Sequence, residues 1–102
     1  MYGTVARMKV RPDSRTAIDA EMERQLAQEP IPGHVATFVY HSDSDPEEYF
    51  VSVVFGSRQA YRANADSPEQ AARYTRLRAL LVEDPEWHDG EVVQQGSGLA
   101  EY

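Results

Sequence analysis

A ten-residue stretch near the end of the chain, DPEWHDGEVV at positions 84–93, concentrates side chains that could do chemistry. It contains the only tryptophan, Trp87, directly before His88, and acidic residues lie on both sides of this pair. A histidine among carboxylates can act as a general base, although a solvated surface histidine often has similar neighbours. Trp87 could form the wall of a ligand cavity or fill the end of the core. The stretch therefore predicts either the rim of an active site or a simple junction between a helix and a strand.

Three further candidates precede this stretch, in a segment where the sequence predicts helix. Tyr61 and Tyr74 could bond to a ligand, or their hydroxyl groups could be satisfied within the core. Asn64 could contact a ligand through its amide, or end a helix by bonding to local backbone. The predicted catalytic residues are His88, Tyr61 and Asn64, and the predicted substrate-binding residues are Trp87, Tyr74, Phe55 and Phe38.

The histidines show no spacing that is typical of a metal site. His34, His41 and His88 lie far apart in the chain, without an H-x-H or H-E-x-x-H pattern. The segment DSDPEE begins like a calcium loop, but the position that requires glycine holds Glu48. The sequence also has no phosphate-binding loop, nucleophile elbow or dinucleotide fingerprint. We therefore expect no metal and no bound cofactor.

The composition narrows the class of protein further. The chain has 102 residues, with 17 acids against 10 bases and a formal net charge of −7, which disfavours binding to nucleic acid. The absence of cysteine excludes disulfides and thiolate chemistry, and no apolar run is long enough to cross a membrane. We expect a soluble cytoplasmic domain over residues 1–95, followed by a tail over residues 96–102.

The spacing of apolar residues predicts the element order βαββαβ. Strands are predicted at residues 2–10, 34–41, 48–55 and 90–95, with a first helix at 14–28 and a second helix that is broken near Ser67. Three arginines of the second helix, Arg73, Arg76 and Arg78, are expected to lie on a solvated face. The short connections favour one four-stranded antiparallel sheet with both helices on one face, which is the ferredoxin-like α+β arrangement.

The predicted third strand is apolar on both sides. Alternate residues from Tyr49 to Phe55 form one apolar face, while Phe50 and Val54 lie on the other face with only Ser52 between them. Two helices can cover only one side of the sheet, and the other side would expose an apolar patch of several hundred Å², which monomers rarely tolerate. The sequence therefore predicts a homodimer through the sheet faces, with a twofold contact of roughly 1,600 Å² or more.

Three segments together carry a resemblance to a known family. MYGTVARMKV as the opening strand, EYFVSVVFGSRQAYRANADSPEQ as strand, broken helix and cap, and DPEWHDGEVV as the closing segment resemble the antibiotic biosynthesis monooxygenase (ABM) domains of the dimeric α/β-barrel superfamily. Members often carry a tryptophan near the end of the third strand, followed by S-x-x-A-x-x-A-H. The comparable stretch here has Phe55 near the tryptophan position and Asn64 at the histidine.

The resemblance implies a dimer whose two sheets form a barrel, with a pocket between sheet and helices in each protomer. It implies oxygenation of an aromatic or enolisable small molecule, of the polyketide or anthrone type, without metal or flavin. The haem-degrading branch usually needs an asparagine on the first strand. The first strand of this chain contains no asparagine, so we set that branch aside. Two alternatives stay open: a non-catalytic ligand-binding or regulatory module, and a cofactor-free isomerase or cyclase with a histidine as base.

Overall fold

The computed structural model describes residues 1–28, 30–96 and 98. In chain order its elements are β1 (Tyr2–Lys9), α1 (Arg15–Leu26), β2 (His34–His41), β3 (Glu48–Phe55), α2 (Arg58–Ala65), α3 (Pro68–Arg78) and β4 (Glu86–Glu91). The four strands of the described part form one antiparallel sheet in the order β2-β3-β1-β4. This is the ferredoxin-like α+β arrangement, and the prediction from the sequence is confirmed.

The predicted break in the second helix is present, and two serines define it. Ser57 caps α2 by accepting a hydrogen bond from the backbone nitrogen of Ala60 at 3.1 Å. Ser67 caps α3 in the same way with Gln70, also at 3.1 Å, and Pro68 occupies the first turn, where a missing N–H costs nothing. Because each half has its own cap, α2 and α3 are independent helices and need not share one axis.

The hydrophobic core lies between one face of the sheet and the helices. Its buried members are alternate residues of β1 and β3, together with residues of α1, α3 and the segment after α3: Ala6, Met8, Val10, Ile18, Met22, Tyr49, Val51, Leu77 and Leu81. Alternation along a strand sends every second side chain to the same face. All helices therefore cover the same face of the sheet.

The opposite side of the sheet, which we call the open face, carries large apolar side chains that no described element covers. Val5 is 49% exposed, Phe38 54% and Tyr40 58%. Phe50 and Val54 are half-buried between them on the same side. The neighbouring strands β1 and β2 thus add apolar side chains to those that were expected on this side of β3.

A buried ion pair joins the first and third helices. Glu21 is only 8% exposed, and one of its carboxylate oxygens lies 3.2 Å from Nε of Arg76. The other oxygen accepts a hydrogen bond from Gln25 at 3.1 Å. A carboxylate that is buried with these partners fixes the position of α3 against α1. Arg76, which was expected on a solvated face, is therefore a structural contact between helices.

The predicted position of the fourth strand is wrong, because the strand begins and ends four residues earlier than expected. It was expected at residues 90–95, and the structure has it at Glu86–Glu91. Pairing with β1 decides its position, because Glu86 lies opposite Arg7 and Glu91 lies opposite Tyr2, where β1 begins. The apolar pair Val92 and Val93 suggested a later strand, but only Met1 precedes β1, and its carbonyl accepts from the backbone nitrogen of Val92 at 2.9 Å. In the predicted tail, residues 97 and 99–102 lie outside the described residues.

We expect Gly3→Ala to destabilise the fold strongly. A Cβ atom at Gly3 would lie 1.9 Å from the carbonyl oxygen of Val53, so β1 and β3 would have to move apart. Gly90 is the partner of Gly3 on β4, and a Cβ there meets nothing within 4 Å. In urea unfolding at one protein concentration, Gly3→Ala should lose roughly 1–3 kcal/mol, as strained core substitutions do. Gly90→Ala should change stability by less than about 0.5 kcal/mol. Equal effects of the two substitutions would contradict the close approach of β1 to β3.

Candidate functional site

A cavity of about 550 Å³ lies between the sheet and the helices. Most of its walls are apolar and come from both layers; they include Met8, Val51, Val53, Phe55, Leu77 and Trp87. A volume of this order is typical of small-molecule sites, which combine apolar walls with a few polar groups. The cavity is partly open to solvent, so a ligand can enter without unfolding the core.

Tyr61 and Asp89 form one polar group in the cavity wall. The hydroxyl of Tyr61 donates a hydrogen bond of 2.9 Å to Oδ1 of Asp89. Burial, together with the hydrogen bond and negative charge of Asp89, raises the pKa of Tyr61 to about 12. The ring of Tyr61 is held edge-on by Tyr2 and Phe55, at centroid distances of 5.2 and 5.8 Å. Tyr61 is therefore a neutral, well-positioned phenol throughout the physiological range of pH.

Thr4 is the buried polar residue of β1 that lines the cavity. It is 6% exposed, and its Oγ1 has no hydrogen-bond partner among the described residues. Its position follows from the register, because Thr4 lies opposite Asp89 on β4 and Val53 on β3. Most buried hydroxyl groups are hydrogen-bonded, so this one needs an explanation.

Arg73 forms a second polar group at the meeting point of the helices. Its Nε donates to Gln70 at 3.0 Å, one terminal nitrogen donates to Oδ1 of Asn64 at 3.0 Å, and the other donates to Gln28 at 3.3 Å. Arg73, Asn64 and Gln70 all line the cavity. Arg73 bonds to the amide oxygen of Asn64, and the NH₂ group of the same amide can act as a donor. This part of the wall can therefore offer N–H donors and positive charge to a ligand.

His34 lies in the cavity wall at the start of β2. Its Nε2 is 2.6 Å from Oγ1 of Thr37, and its ring lies 5.6 Å from that of Phe55 in an edge-on arrangement. When Nε2–H donates to Thr37, the lone pair of the imidazole is on Nδ1. His34 is thus a cavity residue with proton-accepting chemistry.

Five of the predicted site residues line this cavity. They are Phe55, Tyr61, Asn64, Tyr74 and Trp87. Trp87 is 45% exposed, and its ring is 6.4 Å from that of Tyr74, so it borders the cavity and does not fill the core. Asn64 uses its backbone carbonyl locally, accepting from Ser67, while its side chain turns to Arg73. The side-chain amide of Asn64 therefore does not end the helix by bonding to local backbone, and its contact with a ligand stays a prediction.

The other two predicted site residues, His88 and Phe38, lie on the open face. His88 is opposite Val5, its Nε2 is 2.8 Å from a carboxylate oxygen of Glu86, and its side chain is exposed. Phe38 is opposite Ser52 on the same side of the sheet. The reason is alternation: neighbours along a strand point to opposite faces, so His88 cannot share the cavity with Trp87.

The cavity residues that were not among the predicted site residues include Thr4, His34, Arg73 and Asp89. Asp89 could have been found from Trp87, because residues two apart on a strand share a face. Arg73 was expected on a solvated face, but it is half-buried in the cavity wall because α3 turns there against α1 and α2. No single-residue signal marked Thr4, and His34 was considered only as one of three histidines without the spacing of a metal site.

The described residues contain no group of three or more histidine, cysteine, aspartate or glutamate residues that could hold a metal ion. Nor does any helix within the described ranges have the length and apolar character needed to cross a membrane.

The protein is a ferredoxin-like α+β domain. Its helices lie on one face of an antiparallel sheet, with a ligand-sized cavity between the two layers. The sequence matches the family model for antibiotic biosynthesis monooxygenase over residues 1–75, and the chain belongs to this family. The resemblance in the sequence is thereby confirmed. Among curated proteins, no sequence matches the chain significantly.

Solved structures of similar proteins share the fold. A candidate antibiotic biosynthesis monooxygenase from Caulobacter crescentus has a TM-score of 0.81 at 18% identity, covering 91% of this chain and 90% of its own. One from Chloroflexus aurantiacus has a TM-score of 0.76 at 23% identity, covering 94% and 96%. SnoaB, a cofactor-independent oxygenase from Streptomyces nogalater, has a TM-score of 0.73 at 22% identity, covering 92% and 94%.

We expect the pKa of Tyr61 to fall when Asp89 is replaced by asparagine. The hydrogen bond to a carboxylate and its negative charge both raise this pKa, and both are weakened in Asp89→Asn. The titration of Tyr61 is measured as the difference in phenolate absorbance between each protein and its Tyr61→Phe counterpart. In the wild-type background this difference should stay near zero up to about pH 11, since Tyr61 ionises near 12.

The matched control is Asp43→Asn, which removes a charge from the exposed turn between β2 and β3. It should leave the titration of Tyr61 unchanged. An unchanged titration in Asp89→Asn as well would contradict the hydrogen bond between Tyr61 and Asp89.

Proposed function

We propose that the protein is a small, cofactor-independent, monooxygenase-like oxidoreductase that acts on an aromatic or enolisable molecule of the polyketide or anthrone type. The observation that carries this proposal is the cavity, whose apolar walls surround a few hydrogen-bonding groups in an oxygenase-family fold. A flat aromatic substrate would lie among Phe55, Tyr74 and Trp87, with ring-to-ring contacts replacing water.

The reaction we propose begins with loss of a proton from the substrate. The resulting anion is electron-rich and reduces O₂, and one oxygen atom enters the product while the other leaves as water. For an anthrone, the CH₂ group and O₂ become a carbonyl group and H₂O, so the substrate supplies all the electrons. The protein must then accept a proton, hold negative charge and limit access of water.

Two sets of residues fit these tasks. His34 is our candidate proton acceptor, because in the tautomer whose Nε2–H donates to Thr37 the lone pair is on Nδ1. Asn64 and Arg73 are our candidates for holding the anion, because they offer N–H donors and positive charge. Donors that are already in position act most strongly on charge that develops during the reaction.

A second candidate function is a non-catalytic ligand-binding or regulatory module. It is favoured by Phe55 and Asn64, which stand where related domains often carry tryptophan and histidine. A cofactor-free isomerase or cyclase would use the same His34 without consuming oxygen. Consumption of O₂ therefore separates the leading proposal from both alternatives. A cytoplasmic location stays a prediction from the sequence.

The proposed activity is tested by oxygen uptake with dithranol, an anthrone. We expect uptake above the buffer rate, and a loss of roughly 100-fold or more in kcat for His34→Gln, as general-base removal commonly gives. Arg73→Gln should lower kcat by about 10- to 100-fold, because the anion loses a charged donor. Arg62→Gln is the control, because Arg62 is exposed on α2 and outside the cavity wall. Wild-type uptake equal to the buffer rate would refute oxygenation of this substrate class.

We also propose that the protein forms a homodimer through the open face. The exposed side chains of Val5, Phe38 and Tyr40 form an apolar surface, and a second copy presents the same surface in a twofold contact. At the edge of this face, Arg7 pairs with Glu48 at 2.6 Å and Lys9 pairs with Asp45, so their charges are compensated before any partner arrives. A stable contact needs roughly 1,600 Å² in total, which an apolar four-stranded sheet can provide.

The dimer is tested by sedimentation at micromolar concentration. Wild type should have twice the 11.5 kDa mass of one chain. Phe38→Arg should sediment as a monomer, because it would bury an unpaired charge at the contact. Ala72→Arg places the same charge on an exposed position of α3 and should remain a dimer. A wild-type mass of 11.5 kDa would refute the contact.

A further inference from the structure

The hydroxyl of Thr4, which has no hydrogen-bond partner in the part of the chain that the structure describes, marks a place where the cavity can bond to a ligand. Burial of a hydroxyl group without a partner is unfavourable, because its bonds to water are lost and not replaced. Thr4 belongs to the central strand β1, where strong pairing on both sides holds it in position. Its Oγ1 lines the cavity, so a ligand atom can supply the missing bond.

The neighbouring hydroxyl, that of Tyr61, has a fixed direction. Its one proton is donated to Oδ1 of Asp89 at 2.9 Å. A phenol has no second proton, so toward a ligand the oxygen of Tyr61 can only accept. Thr4, in contrast, has a proton to donate. Thr4 and Asp89 are opposite each other across the pair of β1 and β4, which places all three side chains in one region of the wall.

We propose that Thr4 and Tyr61 together recognise a neutral hydroxyl group of the ligand, with Thr4 as donor and Tyr61 as acceptor. A hydroxyl group can donate one hydrogen bond and can also accept, so it matches both residues. A carbonyl or ether oxygen would match Thr4 alone and leave Tyr61 unused. An ionised oxygen would lose the bond to Tyr61 and would face the negative charge of Asp89.

This inference rests on the proposed function, since it assigns an orientation to the aromatic ligand. The hydroxyl group that stays neutral lies at Thr4 and Tyr61, beside the negative charge of Asp89. The group that loses its proton lies elsewhere in the cavity, where Arg73 and Asn64 provide donors and positive charge. Separate recognition of a neutral and an ionising oxygen would determine which carbon of the substrate is presented to O₂.

Two probes that differ in a single hydrogen-bond donor test the proposal in the full chain. They are 2-naphthol and its methyl ether, 2-methoxynaphthalene, and their binding is measured by calorimetry without any reaction. Both oxygens can accept from Thr4, but only the naphthol can donate to Tyr61. We expect wild type to bind the naphthol about 10-fold more tightly, as one net hydrogen bond commonly gives.

The variants separate the two roles. Tyr61→Phe should weaken binding of the naphthol alone and bring the ratio of the two affinities close to one. Thr4→Val, which replaces the hydroxyl by a methyl of similar size, should weaken both probes and keep the ratio. Thr16→Val on the exposed side of α1 is the control and should change neither affinity. A merely structural role of Tyr61 would lower both affinities together and leave their ratio unchanged.

The failure of this inference can be distinguished from the failure of the proposed function. Equal binding of both probes by wild type would refute recognition of a hydroxyl group, while an aromatic ligand and oxygen uptake with dithranol would stand. Absence of dithranol oxidation with the expected ratio preserved would refute the oxygenase proposal and support the binding site. Binding of neither probe would refute the inference.

Discussion

The strict alternation of side chains along β1 is the constraint on which the rest of the molecule depends. β1 is paired on both edges, with β3 and β4, so it cannot shift its register without breaking two ladders. Its even-numbered residues from Thr4 to Met8 face the helices, and its odd-numbered ones face the other way. A slip by one residue would carry Thr4 out of the cavity and bring Val5 into the core. The cavity, the core and the open face are thus three results of one register.

The cavity exists because the helix layer is compact at one end and interrupted at the other. Near Val10, the core is filled by Ile18 and Leu81, which are fully buried, and Val10 forms an isolated bridge with Leu81. Toward the beginning of β1, the layer is made of the end of α1 and two short helices with separate caps. The side chain of Arg73 ties α3 to α2 and to the segment just after α1 through amide groups. Polar contacts of this kind hold helices in place without filling the space beneath them.

The fold could be predicted from the sequence because its signals are local and repeated. The period-two patterns gave the first three strands, and Ser57, Ser67 and Pro68 gave the break in the second helix. The fourth strand was misplaced because its bounds are set by β1 and not by its own residues, which are all exposed. The structure places Trp87 in the cavity wall and His88 on the open face, a difference that strand alternation could have predicted. Arg73 and Thr4 could not have been identified, since their roles arise only when three helices and three strands meet.

The position of Trp87 has a practical consequence. This residue is the only indole in the chain, it stands half-exposed at the cavity wall, and it lies beside Tyr74. The tryptophan fluorescence of the chain therefore comes from one position at the cavity wall. A ligand that displaces water there changes the emission wavelength and intensity. Binding and release of a ligand in the cavity can therefore be followed by intrinsic fluorescence, without an attached label.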